Sequence, residues 1–545
     1  MLLLQSYIKQ MGSVKNDIRW LCREWKYFSR QSLLNIAVGV AEVSCGLAIV
    51  WATKLCVDLA TGAEHGTWTL LSAGGILTAL MVLEMLLIYL SRWIRAVLGV
   101  RAKNAMQERL YQRLLQSDWQ ALHKHHSGQL MNRIQVDVSS VSDFLSEQLP
   151  NLITALVQFV AAFVFLYWMD RRLAIIIAVL SPLLLFAVRF YMYRMRSYRH
   201  DQRSQEADIQ SLLQETLQQS LVLKTFGYQQ KATEQLMSSH LSLRNIIVRN
   251  TRYSANAGLL VNTIFTGGYL LAFFWGISQL HAGIITFGAM LAFVQLVGQI
   301  QGPVRRLTNY ASVFVNIFTA SDRLMELEKM PPAVNIKPLG LDEAEQYMPV
   351  RMNNVTFTYE GNEQPVLSHW SVEFPTGSVT AVIGHTGSGK TTLISLLLGL
   401  LHPQEGEVVT HPALFSYVPQ GNTLMSGTVR RNLLLGNAEA TEEELWEALR
   451  IAQADFVREA PEGLDMPCGE RGGGLSEGQA QRICIARAIL RHAPILLLDE
   501  AFSALDADTA ARIFANIRET HSTIIYITHR EALIHAADRV VRLAD

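Results

Sequence analysis

The chain has 545 residues and a formal net charge of zero, with 50% apolar and 17% charged residues. This length exceeds one ordinary hydrophobic core, so at least two domains are expected. The balanced charge argues against a nucleic-acid partner, and a charged fraction below the roughly 25% of soluble domains indicates membrane segments. The five scattered cysteines lack metal-ligand spacing and are interpreted as packing residues without a disulfide framework.

Long apolar segments fill the first part of the chain, each close to or above the roughly 20 residues that a helix needs to cross a bilayer. They predict six spanning helices, at Ser32–Ala60, Trp68–Val97, Pro150–Trp168, Leu173–Tyr193, Ser254–Gln279 and Ile284–Gln301. Lysine and arginine cluster before the first segment and after the second and fourth, whereas loops 61–67 and 280–283 carry neither. Arg171 and Arg172, between the third and fourth predicted spans, are the exception to this absence of basic residues on the opposite side. The positive-inside rule therefore places both termini in the cytoplasm.

Helix-forming sequence continues beyond the apolar segments. No proline interrupts the chain from Trp68 to about Gln116, which predicts roughly 70 Å of helix against a hydrocarbon core of roughly 30 Å. The stretch Arg189–Arg252 is also amphipathic and rich in helix formers. The helices should project into the cytoplasm and turn at Asp118–His126 and Gln214–Gly227.

Charged residues inside the predicted spans are costly and raise a functional question. Glu42 and Glu84 either contact a polar substrate or a proton, or face an aqueous cavity or a bonding partner on a neighbouring helix. Lys54 and Asp58 are four residues apart, so an ion pair on one helical face is the simpler interpretation.

Prolines and polar residues mark a linker before the second domain. We predict an N-terminal cytoplasmic segment at 1–31, a transmembrane domain at 32–328, a linker at 329–349 and a nucleotide-binding domain at 350–545. The last begins with a predicted strand, Val350–Thr358, that ends at Tyr359.

A glycine-rich segment between a predicted strand, Thr380–Ile383, and a predicted helix, Thr392–Leu400, has the pattern of a P-loop. Its glycines allow close approach of phosphate, which the backbone amides and the helix N-terminus would hold. Lys390 would neutralise the phosphate charge, and the Thr391 hydroxyl would bind Mg²⁺. The predicted nucleotide-binding residues here are Gly384, His385, Thr386, Gly387, Ser388, Gly389, Lys390, Thr391 and Thr392.

Two adjacent acids follow the apolar run Ile495–Leu498, which has the composition of a buried parallel strand. Asp499 is predicted to hold Mg²⁺, and Glu500 to polarise the attacking water as general base. A purely structural role is a poor alternative, because neighbouring carboxylates repel unless a cation is near.

Leu475-Ser476-Glu477-Gly478-Gln479 is similar to the signature of ATP-binding-cassette (ABC) proteins. With the P-loop and the apolar half, the chain resembles an exporter-type (type IV fold) ABC half-transporter. The resemblance implies a six-span α-helical transmembrane domain with long cytoplasmic helices, fused to an α/β P-loop NTPase domain with a helical signature subdomain. It also implies that the turns at Asp118–His126 and Gln214–Gly227 are coupling helices; solvated hairpins are the alternative.

The same resemblance assigns further residues around ATP and Mg²⁺. Tyr359 would stack on adenine, Gln420 would sense the γ-phosphate and contribute to the metal site, and His529 would be the switch histidine. Ser476, Gly478 and Gln479 would face ATP held by a second subunit, with Asp506 at the end of the D-loop Ser503–Asp506. Glu477 departs from the family pattern, which usually has glycine there.

These features predict an ATP-driven transporter that works by alternating access in a dimer, either a homodimer or a heterodimer with a related half-transporter. An exporter or flippase of a lipid, drug-like or peptide substrate in a bacterial inner membrane is the favoured interpretation. The alternatives are an importer built on the exporter fold and a regulatory membrane ATPase that does not pump. The intact Glu500 argues against the latter.

Overall fold

A computed structural model of one chain describes residues 2–63, 68–125, 127–333, 340–385, 387–469, 472–521 and 523–543. Within these ranges, the side chains of residues 2–14, 127, 180–200, 257, 308–309, 311–312 and 341 lie outside the described part.

The chain forms two compact units. One comprises Met1–Gln112 and Ser127–Lys329, and the other comprises Arg113–His126 and Met330–Asp545. The second unit is therefore discontinuous in sequence, and it includes a short segment from the middle of the predicted transmembrane domain.

The first unit is helical. Two short π-helical turns, Arg133–Asp137 and Phe144–Gln148, interrupt one of its long helices without breaking it. The helices are α1 (Leu2–Tyr27), α2 (Ser29–Ala60), α3 (Leu70–Leu115), α4 (Trp119–His123, in the second unit), α5 (Ser127–Asn132), α6 (Val138–Asp143), α7 (Leu149–Met169), α8 (Arg171–Gln218), α9 (Ser220–Thr225), α10 (Gln229–His281) and α11 (Phe287–Glu328).

Five helical segments in the described residues are long and apolar enough to cross a membrane: Ser29–Ala60, Leu70–Leu115, Gly128–Met169, Gln229–His281 and Phe287–Leu307. They correspond to five of the six predicted spans. The fourth, Leu173–Tyr193, lies on the backbone of α8, but its side chains from residue 180 onward lie outside the described part.

The long helices confirm that helical structure continues past the apolar segments. α3 has 46 residues, which corresponds to roughly 69 Å. Two predicted starts are wrong by two or three residues, because α3 begins at Leu70 and α11 at Phe287. In the second case Thr286 is the N-cap, and its hydroxyl accepts a hydrogen bond from the Ala289 amide at 3.2 Å.

Helix α11 is the central helix of the first unit. In the most apolar 18-residue stretch of α11, 61% is buried, compared with 6% of the corresponding stretch of α3. Phe293, Leu296 and Ile300 pack into one core with residues of α2, α7, α8 and α10. At the start of α11, the amide of Gly288 donates a hydrogen bond to the buried Asp58 carboxylate at 3.0 Å. The ion pair of Asp58 with Lys54, at 3.0 Å, confirms the predicted i,i+4 pair.

Polar side chains meet within the spans near Gly46. Glu84 Oε1 and Gln299 Nε2 lie 3.4 and 3.7 Å from the position that a Cβ atom on Gly46 would take. The Gln158 side-chain amide donates a hydrogen bond to the side-chain oxygen Oε1 of Gln299. Glu84 thus lies in polar surroundings, consistent with one of the two interpretations of this carboxylate.

The second unit is α/β. A five-stranded parallel sheet has the order β10-β3-β9-β8-β5, an antiparallel sheet has the order β2-β1-β4, and β6 pairs with β7. The strands are β1 (Val350–Phe357), β2 (Leu367–Phe374), β3 (Val379–Ile383), β4 (Glu405–Val409), β5 (Phe415–Val418), β6 (Gly427–Thr428), β7 (Pro467–Cys468), β8 (Ile495–Asp499), β9 (Thr523–Ile527) and β10 (Arg539–Arg542). The helices are α12 (Leu341–Ala344), α13 (Lys390–Leu397), α14 (Val429–Leu434), α15 (Glu442–Ile451), α16 (Phe456–Glu459), α17 (Glu477–Ile489), α18 (Ala507–Thr520) and α19 (Glu531–His535).

The first predicted turn belongs to this second unit. Its helix α4 has Asp118 as N-cap, and Trp119 packs against the same apolar cluster as β1 and β2. Lys124 forms an ion pair with Glu360, the residue after Tyr359. The backbone also joins the two segments, since the Asp118 amide donates to the Pro331 carbonyl at 2.9 Å and the Ala333 amide to that of Gln116 at 2.8 Å.

The close approach at Gly288 gives a test of the packing in the membrane unit. A Cβ atom there would lie 2.5 Å from both Asp58 Oδ1 and the Lys54 carbonyl oxygen, closer than atoms can pack. We expect Gly288→Ala to cost about 1–3 kcal/mol, as overpacked cores do, and to lower the thermal unfolding midpoint in nanodiscs. Gly74→Ala is the control, because a Cβ at that helical position meets open space. Equal midpoints for the two variants would contradict this packing.

Candidate nucleotide-binding site

The P-loop joins β3 to α13. Gly389 has φ +91° and Gly387 has φ +90°, which favours glycine at both positions. A Cβ at Gly384 would lie 2.4 Å from Ser388 Oγ. The predicted helix start at Thr392 is wrong by two residues: α13 begins at Lys390, because Gly389 is its left-handed N-cap. Lys390 and Thr391 therefore lie in the first helical turn, and Thr386 lies outside the described residues.

The polar groups of the loop are positioned for an anion. The Lys390 ammonium is largely buried and donates hydrogen bonds to the carbonyls of Gly384 at 2.7 Å and His385 at 2.9 Å. The hydroxyl of Ser388 is buried and makes no hydrogen bond to any described residue. A buried donor of this kind needs a partner, and a phosphate oxygen held at the N-terminus of α13 would supply it.

Tyr359 is fixed next to the P-loop helix. Its hydroxyl lies 3.1 Å from the Thr392 hydroxyl, and its ring makes an edge contact with Phe357 at 5.0 Å. Thr392 is buried, whereas the Thr391 side chain is exposed. The structure therefore places Thr392 as support for Tyr359, and it leaves the Thr391 hydroxyl accessible to a metal ion.

Asp499 ends a strand in which every residue is buried. Burial, together with repulsion from Glu500, raises the pKa of Asp499 to about 6, although a hydrogen bond from Tyr417 and the charge of Lys390 oppose this shift. Burial also raises the pKa of Tyr417, so its hydroxyl stays protonated. A divalent cation would offset the repulsion between these acids, so the donor set of Asp499 and Thr391 fits Mg²⁺.

Glu500 is contacted by the other two predicted catalytic residues, Gln420 and His529. The side-chain amide of Gln420 donates to Glu500 Oε2 at 2.8 Å, and His529 Nε2 lies 3.3 Å from Oε1. Glu500 has φ +49°, a left-handed conformation that is strained for a non-glycine residue. Such strain persists where the surroundings hold it, here the hydrogen bond from the Glu500 amide to the Ile527 carbonyl at 3.2 Å.

The signature residues form a second group, at the N-terminus of α17. Ser476 is the N-cap, and its hydroxyl accepts from the Gln479 amide at 3.2 Å while the Gln479 side chain accepts from the Ser476 amide at 2.9 Å. This reciprocal capping box fixes the first turn. Glu477 is exposed in that turn, where the positive end of the helix dipole favours an acid.

The D-loop lies against this turn. A Cβ at Gly478 would lie 2.9 Å from the Ala504 carbonyl oxygen, so only glycine fits there without displacement. Asp506 is the N-cap of α18 and accepts from the Thr509 amide at 2.9 Å, which lowers the pKa of Asp506.

Two protein-family models match this chain. The family model for the ABC transporter transmembrane region matches residues 33–304, and that for the ABC transporter ATPase matches residues 367–503. A lipid A-core flippase of Dechloromonas aromatica is 30% identical over 90% of this chain and 86% of its own length. The chain belongs to the ABC transporter family.

Other relatives of this ABC transporter also match over nearly full length. The YgaD protein of Bacillus subtilis, whose name proposes multidrug export, is 27% identical over 97% of this chain and 94% of its own length. A solved bacterial Atm1-family ABC exporter with ATP bound has a TM-score of 0.78 at 23% identity, covering 95% of this chain and 93% of that chain. The predicted family and exporter-type fold are confirmed, and this ABC transporter is an integral membrane protein.

Three side chains that the sequence patterns did not reveal make hydrogen bonds within the candidate site of this ABC transporter. Tyr417 bonds to Asp499, and Arg530 donates to the carbonyls of Ser503, at 3.2 Å, and of Leu505. The buried Gln481 donates to Ser503 Oγ at 2.9 Å and accepts from the Ala504 amide at 3.1 Å. The signal in the sequence was position, since Arg530 follows the predicted switch histidine His529 and Gln481 lies five residues after Ser476.

Gln481 is the direct link between the signature helix and the D-loop. Gln481→Met keeps the size of the side chain but leaves the Ser503 hydroxyl and the Ala504 amide without this partner, at a cost of about 1–3 kcal/mol. We expect ATPase activity to fall about tenfold, the effect of about 1.4 kcal/mol on the barrier. The exposed Gln346→Met is the matched control. If both variants hydrolyse ATP at the wild-type rate, Gln481 does not position the D-loop for catalysis.

Proposed function

We propose that this chain is half of an ATP-driven exporter, in which two chains close over two ATP molecules and thereby switch the membrane unit between inward-facing and outward-facing states. The observation that carries the proposal is the convergence of Gln420 and His529 on Glu500. A membrane ATPase that only gates would not need a positioned general base, whereas a pump that must reset by hydrolysis does.

Each side chain then has a role at the nucleotide. Tyr359 stacks on adenine, the P-loop amides and Lys390 bind the phosphates, and Glu500 removes a proton from the attacking water. Asp499, Thr391 and the Gln420 side chain would hold Mg²⁺, which would supply positive charge to the phosphates. His529 contacts the γ-phosphate from the position where it now meets Glu500.

The second half of each site comes from the partner chain. Ser476, Gly478 and Gln479 lie at a helix N-terminus, which is suited to a γ-phosphate delivered by another subunit. Asp506 and the D-loop are attached to this turn through Gln481 and Gly478, so the signature and the D-loop would approach the partner's ATP as one piece. A homodimer suffices, because one chain supplies both halves.

The two turns transmit closure to the membrane unit. α4 packs within its own ATPase unit through Trp119 and the Lys124–Glu360 pair. The second turn instead presents Leu221 of α9 and Phe226, the residue after α9, which are 74% and 81% exposed. Such an exposed apolar pair would suit docking on an ATPase domain near Gln420 and Glu470. In this proposal the protein lies in a bacterial inner membrane with both termini and the ATPase domain on the cytoplasmic side, an orientation that the arginine-rich loops support.

The names of the relatives, lipid A-core flippase and multidrug export protein, favour a lipid or drug-like cargo over a peptide. Export is the direction that these names support.

The general base is tested by Glu500→Gln, which keeps size and hydrogen bonding but cannot accept the proton. ATP should still bind, and hydrolysis by the purified protein should fall by at least about 10²-fold. Exposed Glu519→Gln serves as the control. Near-normal turnover in Glu500→Gln would remove Glu500 from the mechanism and, with it, the main support for a pump.

The composite site is tested by mixing two inactive chains. Lys390→Ala and Ser476→Ala should each be weak alone, because every interface of either homodimer carries a lesion. In the mixed dimer, one interface carries both lesions and the other has none, so ATPase activity should return. Activity that remains with an isolated wild-type monomer on size-exclusion chromatography would show that no partner residue is required.

A further inference from the structure

Helix α1 is attached to the C-terminal ends of two long helices of the membrane unit. The Trp20 indole donates a hydrogen bond to Glu328 Oε2 at 3.0 Å, and the Arg23 guanidinium donates to the same oxygen at 2.6 Å. Arg109 of α3 forms an ion pair with Glu24, whose carboxylate is fully buried. Because Glu328 ends α11, helix α1 joins the end of α11 to that of α3.

These two helix ends lie next to places where the chain leaves the membrane unit. Arg109 comes shortly before Gln112 and Glu328 directly before Lys329, and after Gln112 and Lys329 the chain continues into the ATPase unit. They are two of the three points at which the chain passes between the units. A helix that holds both ends therefore restrains two of these connections together.

Asp17 is the acid of α1 that has no partner of opposite charge. It is 1% exposed and lies on the same helical face as the buried Trp20 and Leu21, which are three and four residues later. Its Oδ1 atom is buried and makes no hydrogen bond to any described residue. The group that bonds to this side chain is a second acid, Asp322 of α11.

A hydrogen bond between two carboxyl groups requires a proton on one of them, since ionised carboxylates only accept. Burial, together with the hydrogen bond and the charge of Asp322, raises the pKa of Asp17 from its usual 3.8 to about 7. Asp322 is exposed, so the shared proton can exchange with the solution.

The other charged groups near this contact do not compensate a charge on Asp17. Lys15 and Arg19 of α1, two residues before and after Asp17, are exposed. The remaining charged groups of the surrounding helices are paired with each other: Arg23 with Glu328, Arg109 with Glu24, Arg133 with Glu326 and Arg323 with Asp137. Among the described residues, Asp322 is the charged group that shifts the pKa of Asp17.

We propose that α1 is a pH-sensitive latch on the ends of α3 and α11, closed by a proton shared between Asp17 and Asp322 and loosened when that proton is lost. With both acids ionised, two negative charges face each other where α1 meets α11, and Asp17 is left buried without a donor. The proposed function assigns no such control by the proton concentration, and the latch requires neither ATP nor cargo.

The direction of the pH effect follows from linkage. An acid whose pKa is raised on docking binds its proton more tightly in the docked state. Docking of α1 is therefore strongest below pH 3.8, weakens as the pH rises to about 7 and is constant above that value. The equilibrium constant for undocking should rise about tenfold between pH 6 and pH 8, and it should not change further at pH 9.

The latch is tested by hydrogen–deuterium exchange of the full-length protein in phosphatidylcholine nanodiscs without nucleotide. Rates at pH 6, 8 and 9 are corrected for the intrinsic dependence of amide exchange on pH. In wild type, the amides of residues 17–27 should lose about tenfold in protection between pH 6 and pH 8 and nothing more at pH 9. Peptides from α17 in the ATPase unit are the internal reference and should keep constant protection.

Two variants remove the shared proton without adding charge. Asp17→Asn is neutral at every pH, and Asp322→Asn supplies an amide donor to an ionised Asp17, so each should reduce the loss between pH 6 and pH 8 to less than about twofold. Asp208→Asn, at an exposed acid of α8, is the matched control and should behave as wild type. Equal wild-type protection of α1 at pH 6 and pH 8 would overturn the proposal, as would an undiminished tenfold loss in Asp17→Asn and Asp322→Asn.

Discussion

Two carboxylates in sequence at the end of a fully buried strand repel each other, and the ATPase unit is arranged around that repulsion. A hydrogen bond from Tyr417 and the charge of Lys390 stabilise the ionised form of Asp499. Gln420 and His529 lie within hydrogen-bond distance of the Glu500 carboxylate. The left-handed backbone at Glu500 ends the extended conformation of β8 directly after Asp499. A nucleotide bound with a divalent cation would add positive charge beside the two acids and reduce their repulsion.

The signature turn at the start of α17 and the D-loop are joined by several direct contacts. The capping box at Ser476, the close contact of Gly478 with Ala504 and the two bonds of Gln481 fix α17 and the D-loop to each other. Arg530, the residue after His529, donates to the carbonyls of Ser503 and Leu505 and so joins the D-loop to the end of β9. Hydrogen bonds within one chain therefore connect the segment after β9, through the D-loop, to the signature turn.

The sequence allowed prediction of the parts that depend on local pattern. Apolar runs gave the spans, and the strand–glycine–helix context gave the P-loop. The Lys54–Asp58 pair followed from helical spacing. It did not allow prediction of Gln481, Tyr417 or the assignment of residues 113–126 to the ATPase unit, because these depend on contacts between residues far apart in the chain. The start of α13 was missed by two residues because the pattern alone does not show that Gly389 adopts a left-handed cap.

The discontinuous ATPase unit has a consequence for how this protein can be cut and recombined. Residues 113–126 pack with residues 330–545, where Arg113 donates to the Met330 carbonyl at 3.0 Å and α4 joins the cluster beneath β1. A chimera that exchanges ATPase domains at the 329/330 junction alone would leave the α4 segment on a foreign surface. An exchange that transfers the α4 segment, with Trp119 and Lys124, along with the C-terminal half would keep the native contacts. The ATPase unit that can be exchanged therefore includes a segment that lies in the first half of the chain.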